Sequence, residues 1–245
     1  MTFWIRALAI FVAASPVSTF AAEVPFADFA RHAQFRDIKI SPEGDYLAAT
    51  AVVDGKAALS LVRLEDMKGV NLHPREGGDV AEFWWVAPHR VFYSVAERMI
   101  TLEQPILTGE LYGVNADGTR KQLMIGFRAH GEAISADIVR PLYAADNKVL
   151  IAKYHWNGSA NGVYPVAALI GADESKMADV ATSPIRNGVF VADHHGQVRF
   201  AYADGTDQKR RVYYRAKNGA DWELVFDESK GAAAVVPLGF ARDNK

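Results

Sequence analysis

Cysteine is absent from all 245 residues. That excludes disulfides, thiol nucleophiles, iron–sulfur clusters and any cysteine-containing zinc site. Excess charge is missing too: 27 Lys and Arg stand against 29 Asp and Glu, a net of −2. Such a balance gives no basis for nucleic acid, or for an anionic lipid surface, as a partner. No apolar run approaches the ~20 residues that cross a bilayer. Helical periodicity is scarce, and the one short helix it predicts lies around Phe26–His32. What remains is a globular composition, 50% hydrophobic and 23% charged, with 19 Gly and 10 Pro. The length suits one large domain or two ordinary ones.

The first residues have the layout of a secretory signal. Met1–Arg6 carries one positive charge, Ala7–Ala14 is apolar, Ser15-Pro16 breaks the run, and Thr19-Phe20-Ala21 places small residues around a cut after Ala21. We therefore expect residues 1–21 to be a signal peptide, residues 22–34 a lead-in segment, and residues 35–245 the folded domain. The expected destination is periplasmic or secreted, with no membrane attachment after cleavage.

From Phe35 onward, short β-branched and aromatic runs alternate with turn chemistry. The runs include Tyr46–Val53, Leu59–Leu64, Val91–Val95, Leu111–Val114, Val149–Tyr154, Val163–Ile170, Val198–Ala203, Arg211–Arg215 and Trp222–Phe226. Between them stand Asp54-Gly55, Asp117-Gly118, Asp146-Asn147, His195-Gly196, Asp204-Gly205 and Asn218-Gly219, which supply the left-handed angles of hairpin turns. A hairpin signature recurs at Ile38–Ala48, Phe83–Ser94, Leu142–Ala152 and Phe190–Ala201, and begins again at Leu238–Lys245. With Gly44, His89, Asn147, Gly196 and Asn244 as equivalent turn positions, the intervals are 45, 58, 49 and 48 residues. Periods of roughly 40 to 50 residues with four strands each mark β-propeller blades. The expected fold is all-β: about four four-stranded blades and the start of another, an incomplete propeller. The long second interval points to an insertion near Arg98–Leu107.

The ordered set Phe35-Arg-Asp-Ile-Lys-Ile-Ser-Pro-Glu-Gly-Asp-Tyr-Leu-Ala, Phe83-Trp-Trp-Val, Arg90-Val-Phe-Tyr, Gly109-Glu-Leu-Tyr-Gly-Val-Asn-Ala-Asp-Gly and Asp193-His-His-Gly-Gln-Val-Arg-Phe-Ala resembles the amino-terminal propeller of exported prolyl oligopeptidase-family serine peptidases. The resemblance covers residues 26–245. It implies a propeller that gates short peptides toward a separate α/β-hydrolase domain with a Ser–Asp–His triad. No Gly-x-Ser-x-Gly elbow occurs here; the nearest segment, Asn157-Gly-Ser-Ala-Asn-Gly162, has its glycines at the wrong offsets. Catalytic residues are accordingly expected to be none in this chain, which alone should be inactive. A noncatalytic periplasmic binding or assembly propeller is the alternative, and a product without function the third.

The remaining constellations point to turns and packing. Adjacent His194 and His195 occupy a turn, and neighbouring strand residues face opposite ways, so they are poor joint metal ligands. No histidine pair has zinc-binding spacing, and neither metal nor cofactor is expected. Asn115-Ala-Asp-Gly-Thr lacks the later ligands of a calcium loop. Trp84 and Trp85 should pack on opposite sheet faces, between adjacent blades. Lys209-Arg-Arg211 reads as a solvated edge, and Glu132 and Asp137 are candidates for contact with a substrate amine. Expected partners are short peptides within a full-length peptidase, and self-association through the open propeller edge.

Overall fold

The computed structural model describes residues 35–74, 78–98, 104–143, 147–156, 162–231 and 233–244. The expected signal peptide, the helix at Phe26–His32 and the Asn157–Asn161 loop lie outside the described residues.

Four antiparallel sheets follow one another along the chain, each a four-stranded meander with its strands in sequence order. The first contains β1 (Phe35–Ile40), β2 (Tyr46–Val53), β3 (Lys56–Arg63) and β4 (Gly69–Leu72). The second contains β5 (Asp79–Ala87), β6 (Arg90–Glu97), β7 (Ile106–Asn115) and β8 (Gln122–Ile125). The third contains β9 (Ile134–Leu142), β10 (Lys148–His155), β11 (Val166–Gly171) and β12 (Met177–Thr182). The fourth contains β13 (Val189–Ala192), β14 (Val198–Asp204), β15 (Arg210–Tyr214) and β16 (Glu223–Asp227). These are propeller blades. The first strands of successive blades approach one another, β5 on β9 and β9 on β13, as strands nearest a common axis must.

The turns form where the sequence places them. Val53 pairs with Lys56 across Asp54 (φ 51°) and Gly55 (φ 76°), so both central residues are left-handed, as a two-residue hairpin of the strand twist requires. Gly44, Asn147, Gly196 and Asn244, four of the five repeat-equivalent positions, also have positive φ. The Asn244 amide donates to the Ala241 carbonyl just as Gly44 donates to Ser41 and Gly196 to Asp193. The fifth signature therefore starts with the same turn as the first and fourth.

Side-chain alternation explains the core. On β6, Val91, Tyr93 and Val95 pack toward Ala48, Leu59 and Leu61 of the first blade. Phe92, on the opposite face, packs toward Ile134, Val149 and Ile151 of the third. On β10, Leu150 and Ala152 turn instead toward Phe190, Val198 and Ala201 of the fourth. The inner strands of the second and third blades are thus apolar on both faces, because each of those sheets is covered twice. Trp85 enters the first interface and Trp84 packs against the second, so the pair divides between neighbouring blades as expected.

Two details differ from the sequence expectation. Ile106 and Leu107 are not loop residues: they pair with Glu97 and Ala96 and lengthen the β6–β7 hairpin. Part of the long interval is instead a helical turn, Phe127–His130, flanked by Gly126 and by left-handed Gly131 (φ 69°) in the connection to β9.

Candidate functional site

Polar side chains collect in several recesses among the described residues. The first is a slot of about 210 Å³ between blades 2 and 3, lined by Glu82, Trp84, Glu110, Asp137 and Tyr154 among others. Glu82 and Asp137 belong to β5 and β9, the innermost strands of their blades. Gly109 (φ 75°) brings β7 against the third blade so closely that a Cβ there would lie 2.5 Å from the Cβ of Ser135. Glu110 is already committed: Arg128 donates to both its oxygens, and the Tyr112 hydroxyl donates to Oε2. The negative charge left to a ligand is that of Glu82 and Asp137. Burial, aided by the Asp137 carboxylate, pushes the Tyr154 phenol well above its ordinary value, so it stays protonated and donates to Asp137. Of the two acids singled out in the sequence, Asp137 lines this slot and Glu132 does not. Glu82 was missed because an acid exposed on a first strand has no local signature.

The second recess, of about 490 Å³, lies on the face carrying the β1–β2, β5–β6 and β7–β8 turns. Glu43, His89, Arg90, Asp117, Arg120 and Asp173 line it. Arg90 is almost fully buried and spans blades 2 and 3. Its Nε donates to the Ala172 carbonyl at 2.6 Å, and its Nη1 to Asn115 Oδ1 at 2.8 Å. Asp173 pairs with both Arg90 (3.2 Å) and Arg120 (3.3 Å). Desolvation pulls the Arg90 guanidinium below its ordinary value while Asp173 holds it up. Asp117 is a turn residue, accepting from the amide and hydroxyl of Thr119, as expected of this short motif.

The third recess, of about 520 Å³, joins Tyr164 of the β10–β11 connection and Arg186 and Asn187 of the third-to-fourth blade connection to Asp204, Asp207 and Arg211. The basic run beside it is neutralised: Arg210 pairs with Asp204, Arg211 with Asp207 at 2.7 Å, and Lys209 with Glu228 at 3.7 Å. Paired in this way, it offers little charge to a polyanion.

His194 and His195 are exposed in the β13–β14 turn, as read from the sequence. His194 also ties neighbours together: one ring nitrogen meets Arg140 of β9, and the other lies 3.0 Å from the Ala241 carbonyl. Its amide donates to Asn244 Oδ1.

No protein-family model matches the chain, and no curated protein matches it in sequence. Several solved structures are similar to it in part. Oligogalacturonate lyase from Vibrio parahaemolyticus gives a TM-score of 0.49 at 12% identity, over 84% of this chain and 56% of the lyase. Acylaminoacyl peptidase, in complex with Z-Gly-Gly-Phe-chloromethyl ketone, gives 0.48 at 11% identity, over 76% of this chain and 32% of the peptidase. TolB from Acinetobacter baumannii gives 0.43 at 9% identity, over 79% of this chain and 43% of TolB. The chain therefore spans from about a third to just over half the length of these three. The propeller assignment stands on the blades themselves.

Proposed function

We propose that this chain is the substrate-gating propeller of an exported serine peptidase of the prolyl oligopeptidase type, acting on short peptides with a nucleophile that lies outside this sequence. The observation that carries the reading is the acidic slot between blades 2 and 3. Glu82 and Asp137 offer two carboxylates near the propeller axis, Asp137 held by the Tyr154 hydroxyl, and Trp84 offers an aromatic face. An ammonium group beside carboxylates and an indole gains charge-assisted hydrogen bonds and cation–π attraction. The slot's volume suits the amino end of a peptide rather than a folded domain. Support for the class comes from the sequence resemblance, whose motifs fall on the first hairpins of the first, second and fourth blades and on β7 with the turn after it. Among the described residues no helix is long and apolar enough to cross a membrane.

A noncatalytic exported binding module is the second reading. It is favoured by the turn-face recess, which draws residues from three blades into one polar surface. Exposed apolar residues at both ends of the blade series, Ile38 and Ile40 on β1 and Leu224 and Val225 on β16, support self-association of the isolated chain.

Binding of a free-amine tripeptide and of its N-acetylated form, followed by NMR titration, tests the gating role. The expected result is saturable binding of the free amine, weakened at least tenfold by acetylation and by Asp137→Asn. Equal binding of both forms, or no binding at millimolar peptide, would remove the slot from substrate recognition.

A further inference from the structure

The turn face holds a feature that linear histidine spacing did not reveal. Gly44 and His89 are equivalent positions of consecutive blades, so the turns that contain them stand side by side. Glu43 and Asp45, which flank Gly44, thereby meet His89 across the boundary between blades 1 and 2. Asp45 Oδ2 lies 3.3 Å from His89 Nδ1, and Glu43 Oε2 lies 3.7 Å from Nε2. One ligand atom from each residue falls within 4.8 Å of the other two, the only such group of three among the described residues.

From this geometry we infer that Glu43, Asp45 and His89 form a site for a divalent transition-metal ion, with zinc the best-suited ion. Two carboxylates and one imidazole are a ligand set that zinc accepts. Metal–ligand bonds of about 2.0–2.2 Å place tetrahedral ligand atoms roughly 3.3–3.6 Å apart. The 3.3 Å separation of Asp45 and His89 already has that value. Asp45 is oriented from behind, because the Ser41 hydroxyl donates to its Oδ1 at 2.7 Å and leaves Oδ2 directed at the imidazole. Hydrogen bonding to the far oxygen of a ligating carboxylate is how outer-shell groups fix metal ligands. The His89 ring is steadied by edge-on contact with Tyr46, centroids 5.7 Å apart at 76°.

Among the described residues the two ring nitrogens of His89 face these two carboxylates, and an ion would take one of the nitrogens. The fourth position would face the turn-face recess, which Glu43 and His89 also line, and there water or a ligand oxygen can complete the shell. Bound metal would join blade 1 to blade 2 at their first turns. The competing occupant is a proton, since an imidazolium between two carboxylates is also well satisfied. Metal binding requires that the ring nitrogen it uses carry no proton. This site is independent of the peptide slot.

The test uses the whole untagged chain, stripped of metal, with zinc titrated by calorimetry and cobalt by its visible absorption. One zinc per chain is expected, with affinity reduced at least tenfold in His89→Gln and in Glu43→Gln, and unchanged in His194→Gln. Both test positions are exposed turn residues, and circular dichroism checks that each variant keeps its sheet content. Cobalt bands that appear in the parent chain and vanish in His89→Gln would place the imidazole on the metal. No saturable binding up to about 1 mM zinc, or equal affinity in parent and His89→Gln, would overturn the assignment and leave the cluster as a polar contact between two turns.

Discussion

Phe92→Ala is expected to destabilise the chain by about 3–5 kcal/mol, the range for deleting a buried phenylalanine. Phe92 is fully buried and sits where the second blade meets the third, against residues of β9, β10 and β11. The loss combines the ring's transfer free energy with a cavity that two twisted sheets cannot close. Blades contact only their neighbours, so the damage should be local in origin and strongest for blades 2 and 3. Urea unfolding followed by tryptophan fluorescence checks this directly, because Trp84 and Trp85 stand on the adjoining strand. A midpoint unchanged from the parent would mean that the interface is not packed as described.

Arg90→Ala should cost about 2–3 kcal/mol, by removing a buried, charge-assisted hydrogen-bond hub. Its guanidinium bonds the Ala172 carbonyl, Asn115 Oδ1 and the Arg120 carbonyl, and pairs with Asp173. Truncation leaves those acceptors without their donor and unlinks blade 2 from blade 3 on the turn face. Arg90→Lys is expected to recover only part of the loss, since a single ammonium cannot reproduce the planar fork. Gly113 shows how tightly the group fits: a Cβ there would lie 3.0 Å from Arg90 Nη2 and 3.0 Å from Phe92. The measurement is the shift in the urea midpoint for each variant. A lysine variant as stable as the parent would show that charge alone, not the fork, holds this boundary.

Much of the fold was legible because propeller blades repeat a local signal. Asp54-Gly55 announced its hairpin through backbone chemistry, and the equivalent positions Gly44, Asn147, Gly196 and Asn244 share positive φ in the structure. The split of Trp84 and Trp85 followed from strand alternation alone. The first strand of the third blade, β9 (Ile134–Leu142), was read only from its last residue, and two strands escaped notice, β4 (Gly69–Leu72) and β12 (Met177–Thr182), which are the last strands of their blades. Covered by few neighbours, they have half-buried, mixed sequences with little hydrophobic contrast. The helical turn at Phe127–His130 buries no residue, so no apolar periodicity marked it.

The sites were less legible than the fold. Asp137 could be picked out as an acid near the third blade, but its neighbour Glu82 comes from another blade, 55 positions earlier in the chain. Arg90 resembled any strand-edge arginine until its partners Ala172 and Asp173 were in place. The Glu43, Asp45 and His89 group was within reach, since the repeat alignment had already set Gly44 beside His89. A search for ligand spacing along the chain passes over it; a search across equivalent turns of adjacent blades finds it.

The most direct test of the peptidase assignment is the intact mass of the gene product in its native cells. The lysate is treated with a fluorophosphonate probe for serine hydrolases, and a denaturing gel is read with an antibody against Asn218–Ser229. The expected species is far heavier than 26.9 kDa and carries the serine label. An unlabelled species at or just below 26.9 kDa would contradict the assignment and leave a noncatalytic binding propeller in its place.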